Sequence, residues 1–111
     1  MYFPKEILVS TIDHAIEYIE DPEHWTQGSL VRSADDSYCA DLEKPNVKVC
    51  ALGSFMRSAR KLHCDVRVAD TLAIRWEMQY GVSISRFNDT NDHNIVVAKL
   101  REFREATRIV S

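Results

Sequence analysis

Cys50 is the residue of this chain best placed for covalent chemistry. It falls at or near the start of a helical stretch, where unpaired N–H groups and the positive end of the helix dipole stabilise a thiolate. With a histidine in reach it would act as a nucleophile. His63 is the first candidate partner, with His24 and His93 as the others. The plainer role for Cys50 is a small apolar core residue, with Gly53 three positions on letting another segment pack close. No Cys/His spacing in the chain matches a catalytic pattern, so no catalytic residue is assigned outright.

Asn88 and Asp89 form the second candidate, an amide and a carboxylate that would line a pocket with Trp25 and Gln27. Acid–base work asks for a second titrating group with a displaced pKa, and the sequence identifies none. Turn chemistry is the competing role: Asn and Asp tolerate left-handed backbone and bond nearby N–H groups, and a helix begins directly afterwards. The expected binding residues are therefore Trp25, Gln27, Cys50, Asn88 and Asp89, with Trp76 assigned to the core.

Metal chemistry is not expected. Asp89, Asn91 and His93 alternate like the start of a calcium loop, but the sixth position is Asn94 instead of Gly and the twelfth is Leu100 instead of Glu. Cys39, Cys50 and Cys64 are odd in number and none sits in a Cys-x-x-Cys pair. Neither a zinc knuckle nor a disulfide framework is indicated, and free thiols in a reducing compartment are the expectation. No cofactor is expected either.

Charge divides along the chain. Residues 1–46 carry ten acids against three bases, and residues 47–111 carry eleven bases against seven acids. Such a split either orients a partner or reflects two solvated helix faces. Arg57, Arg60, Lys61, Arg67 and Arg75 would form a basic patch across two consecutive helices, as in a DNA-binding helix pair. Asp65 and Asp70 interrupt it, and the whole chain carries a net charge of −3, which argues against nucleic acid.

The elements that must position these residues are mostly helical. Leu8, Ile12, Ala15, Ile16 and Ile19 predict an amphipathic helix over about 5–20, opened by Pro4 and stopped by Asp21-Pro22. Residues 22–46 are irregular, and the runs 29–32 and 38–40 suggest a small hairpin around a polar turn. A second helix is expected over 49–62, with Leu52, Phe55, Met56 and Ala59 inward. His63-Cys64-Asp65 breaks it, and a third helix over 66–80 ends at Gly81. Residues 84–92 read as a short approach and a polar turn, before a last helix over 93–109 carrying Val96, Leu100, Phe103 and Ala106 inward. The expected fold is a single domain, mainly α, with about four helices around one core and a small β-hairpin between helices 1 and 2.

Three motifs stand together: Trp25-Thr26-Gln27-Gly28, Cys50-Ala51-Leu52-Gly53-Ser54 and Phe87-Asn88-Asp89. The chain resembles a family of small bacterial and bacteriophage proteins catalogued as a domain of unknown function, over most of its length and in the same motif order. Asp35-Asp36 stands where glycine is common in that family, and Asn94 where a capping Thr is expected. The resemblance implies an accessory gene of phages or mobile elements, and no reaction.

Three functions follow as expectations. The first is a non-enzymatic binding protein with a protein or small-molecule partner. The second is a thiol enzyme using Cys50 with a nearby histidine such as His63, and the third a nucleic-acid binder using the Arg57–Arg75 cluster. No apolar run approaches the roughly 18 residues needed to cross a bilayer. The opening residues Met1–Glu6 lack a signal peptide's basic and apolar regions, so a cytoplasmic location is expected.

Overall fold

Pro4 supplies the carbonyl that receives the amides of Ile7 and Leu8, and helix α1, Lys5–Ile19, begins behind it. In the computed structural model, which describes residues 3–109, four further helices follow. They are α2 (Ala51–His63), α3 (Arg67–Tyr80), α4 (Ile84–Thr90) and α5 (His93–Ile109). A short 3₁₀ turn, Pro22–His24, sits after α1, with Asp21 capping it through the Glu23 amide. Helix α1 packs against α2 and α5, and α2 against α3 and α4.

The core forms where the apolar stripes meet. Leu8, Ile12 and Ile19 of α1 join Phe55 and Ala59 of α2, Leu72 and Trp76 of α3, and Leu100 and Phe103 of α5. Trp76 centres an aromatic group, its ring 5.1 Å from Phe103, 5.6 Å from Phe87 and 4.7 Å from Tyr80. Burying each large side chain contributes about 1.5–3 kcal/mol, so these rings are a major part of what orders α3 against α5. Helices α2 and α3 both end on left-handed residues, Cys64 at φ 53° and Gly81 at φ 72°.

Two features differ from expectation. The segment 84–92 contains a helix, because Ser83 caps it through the Arg86 amide and Ile84 and Asn88 are both drawn into the interior. The hairpin between helices 1 and 2 is present as two antiparallel strands, β1 (Val31–Arg32) and β2 (Lys48–Val49), with Val31 opposite Val49. Its second strand is not 38–40, where only a bridge between Arg32 and Tyr38 remains. Val49 is fully buried and Tyr38 is not, so the pairing that buries valine prevails. Helix α2 accordingly starts at Ala51, two residues later than the periodicity suggests.

Candidate functional site

The three sequence motifs meet at one point. Asn88, on α4, is fully buried, and all its side-chain capacity is committed. Its Oδ1 accepts from Trp25 Nε1 at 2.7 Å and from the Ala51 amide at 2.9 Å. Its Nδ2 donates to the Thr26 carbonyl and to Asp89 Oδ1, each at 3.1 Å. An amide side chain has two donor hydrogens and two acceptor lone pairs, so nothing is left over for a ligand.

The neighbours complete the clasp. Gln27 Nε2 donates to the Asn88 and Asn91 carbonyls at 3.0 and 2.8 Å, satisfying acceptors that the end of α4 would leave open. The Gly28 amide donates to Asp89 Oδ1 at 2.9 Å, with Gly28 in the left-handed region at φ 77°. The Thr26 amide donates to the Val49 carbonyl, and the Cys50 amide to that of Leu30. Loop 25–30 is thereby tied to both the start of α2 and the end of α4. Trp25, Gln27, Cys50, Asn88 and Asp89 are thus brought together, with Gln27 and Asp89 at the surface.

Cys50 is the N-cap of α2. Its sulfur accepts from the Gly53 amide at 3.4 Å, and the residue is buried. Burial pushes its thiol up, against the partial opposition of the Gly53 and Leu52 amides, while the Asp89 charge pushes the same way. The helix start therefore does not yield a poised thiolate, because desolvation outweighs it. His63 lies at the opposite end of α2 from Cys50. Thirteen residues of helical rise separate them by roughly 20 Å, which rules out a Cys50–His63 dyad. His24 pairs with the Tyr18 carbonyl and His93 with that of Ile19, at 2.8 and 2.6 Å.

A family model matches residues 5–106 of the chain. The chain belongs to DUF6197, a family of unknown function. No curated protein and no solved structure matches it.

In this DUF6197 chain the basic cluster does not form one surface. Arg57 is buried, with its guanidinium stacked on Tyr18, and Arg67 is held in a two-pronged pair by Asp65. Arg60 and Lys61 remain exposed at the end of α2, while Arg75 lies half-buried on α3. Among the described residues, no group of three or more His, Cys, Asp or Glu is arranged to hold a metal, and no helix is long and apolar enough to cross a membrane.

The α1–α2 seam contains polar pairs that the sequence alone does not disclose. His14 Nδ1 lies 2.8 Å from Ser58 Oγ, and Ser10 Oγ lies 3.4 Å from His63 Nε2. Ser10, His14 and Tyr18 recur at four-residue spacing on α1, which was the available signal. Ser58 is only 1% exposed, so a substrate carbonyl has no approach to its hydroxyl. His14 is held below the ordinary histidine value, chiefly by burial and then by Arg57, with Glu17 opposing and Lys61 reinforcing.

A groove of about 450 Å³ lies between α3 and α5, lined by Arg75, Met78, Gln79, Phe103, Ala106 and Thr107. Met78 is 82% exposed, and Ile74, one turn earlier on α3, is 61% exposed.

Proposed function

We propose that the chain is a small non-catalytic binding protein that receives a helix of a partner protein between α3 and α5. The observation carrying this reading is Ile74 and Met78, adjacent turns of α3 that stand in solvent beside a groove with Phe103 in its lining. Isolated exposed apolar residues are ordinary, but a knob pair beside an apolar groove is the arrangement used for helix docking. Arg75 lines the groove and makes no ion pair among the described residues. The complementary partner is therefore an apolar helix face carrying an acidic residue. A second copy fits less well, since it would bring two Arg75 side chains into one small apolar interface.

The commitments of Cys50 and Asn88 support the non-catalytic half of the proposal, because neither keeps a free reactive atom facing solvent. A cytoplasmic setting belongs to the same reading and rests on the free, unpaired cysteines. The accessory phage or mobile-element role implied by the family resemblance is compatible with a protein that works by docking.

The test compares tagged wild type with the double variant Ile74→Asp/Met78→Asp as capture reagents in lysate of cells that express the chain. Circular dichroism verifies that both are folded. One stoichiometric protein, depleted about tenfold or more on the variant, is the expected result, corresponding to at least ~1.4 kcal/mol of binding. Equal capture by both forms, or none by either, would overturn the proposal.

A further inference from the structure

Arg57 is a buried charge with no counter-charge among the described residues. The residue is 8% exposed, and its Cζ lies 3.7 Å from the centroid of the Tyr18 ring. The His24 ring stacks on Tyr18 at 4.1 Å and 7°, so the tyrosine is sandwiched between guanidinium and imidazole. Stacking covers one face of the guanidinium but occupies none of its five N–H donors. Nε is sealed from solvent with no acceptor among the described residues, and none of those residues hydrogen-bonds the terminal nitrogens. No carboxylate among the described residues pairs with it.

The surroundings increase the positive potential. Lys61 is one turn further along α2, and both cations act on His14 across the seam. Glu17 acts on His14 and Asp21 on Tyr18, yet neither carboxylate forms a pair with Arg57. A cation–π contact offsets part of the desolvation of a buried cation, but the unmet donors still need oxygen acceptors.

We propose that Arg57 anchors a site for a small oxyanion, a carboxylate or phosphate group, bound at the seam between α1 and α2. The planar fork of Arg57 suits two oxygens of one such group. Lys61 adds a charge from the exposed rim. His14 contributes Nε2, because its Nδ1 is taken by Ser58 and Nε2 has no partner among the described residues. Ser58 thus acts as a positioning residue, holding the imidazole in place. The site is separate from the α3–α5 groove and does not depend on the docking proposal.

The test follows the Arg57 Nε–Hε resonance of the full chain by NMR near neutral pH. Sodium phosphate and sodium acetate are added in separate titrations, with chloride keeping ionic strength constant. A saturating shift with either anion is expected, and the tighter of the two identifies the group bound. At about ten times Kd, the favoured anion should raise the wild-type Tm by roughly 5–10 °C. Arg57→Met, whose apolar chain keeps the packing against Tyr18, should lose that gain, and Lys61→Gln should weaken Kd about threefold or more. If Arg57→Met fails to fold, the wild-type resonance and Lys61→Gln still decide. A drift no different from chloride overturns the proposal, as does a saturating response of the His14 ring that persists in Arg57→Met.

Discussion

Trp25 Nε1 donates to Asn88 Oδ1 at 2.7 Å, joining residues 63 positions apart in the chain. The same oxygen receives the Ala51 amide, so one buried acceptor fixes the loop after α1 and the first turn of α2 to helix α4. What reads in the sequence as three separate motifs is, in the fold, one hydrogen-bonded clasp.

Asn88→Ala is therefore expected to cost about 2–4 kcal/mol, because it strands the N–H of the partly buried Trp25 and the buried Ala51 amide in addition to removing their bonds. Thermal unfolding followed by circular dichroism should show Tm lower by roughly 10–20 °C. A change under about 0.5 kcal/mol would mean that water replaces the clasp at little loss.

Gly53→Ala sets two effects against each other. Alanine gains up to about 1 kcal/mol in helix propensity. A β-carbon at position 53, however, would run into the Leu30 carbonyl oxygen and lie 3.1 Å from the Val49 Cβ. That carbonyl accepts from the Cys50 amide, so it cannot withdraw freely. The clash should win, with a net loss of about 1–3 kcal/mol in chemical denaturation. An unchanged or stabilised variant would show that β1 yields easily.

Cys50 should react slowly. At near-neutral pH, iodoacetamide should label exposed Cys64 first and half-buried Cys39 next. Cys50 should lag its rate in the unfolded chain by on the order of a hundredfold, since labelling then waits for local opening. Peptide mass spectrometry reads all three sites together. Fast labelling of Cys50 would restore the thiol-enzyme reading.

His14 gives the fold an acid-sensitive point. Its folded-state pKa lies below the ordinary 6.5, so the unfolded chain takes up the proton more readily. Its contribution to stability is present above that ordinary value and is lost as pH falls through the lowered one. Tm should fall as pH drops below about 6.5, and His14→Gln should shrink the fall. An identical pH profile in the variant would contradict this assignment.

Legibility in the sequence followed the range of the interactions. Helices α1, α2, α3 and α5 are read from local periodicity, since each buries one stripe. Helix α4 is not, because Asn88, Asp89, Thr90 and Asn91 have turn chemistry, and only contacts with residues 37 to 63 positions away make Asn88 worth burying. The partner strand of Val31 is hidden for the same reason, lying beyond a fifteen-residue connection. Trp25, Gln27, Asn88 and Asp89 were recognisable as a group from their types, whereas their saturation by one another was not. Arg57 reads in sequence as one cation of a basic stripe, and only the packing of α1 on α2 reveals it as buried against Tyr18.

Under the proposed docking, recognition lies on the α3–α5 face while the motif clasp is scaffold. Methyl and amide NMR of the chain, with the captured partner added, tests this directly. The methyl groups of Ile74 and Met78 and the resonances of Ala106 should shift most, with Gln27, Gly28 and Asp89 nearly still. Shifts centred on Gln27, Gly28 and Asp89, with Ile74 and Met78 unmoved, would contradict it and place recognition at the clasp.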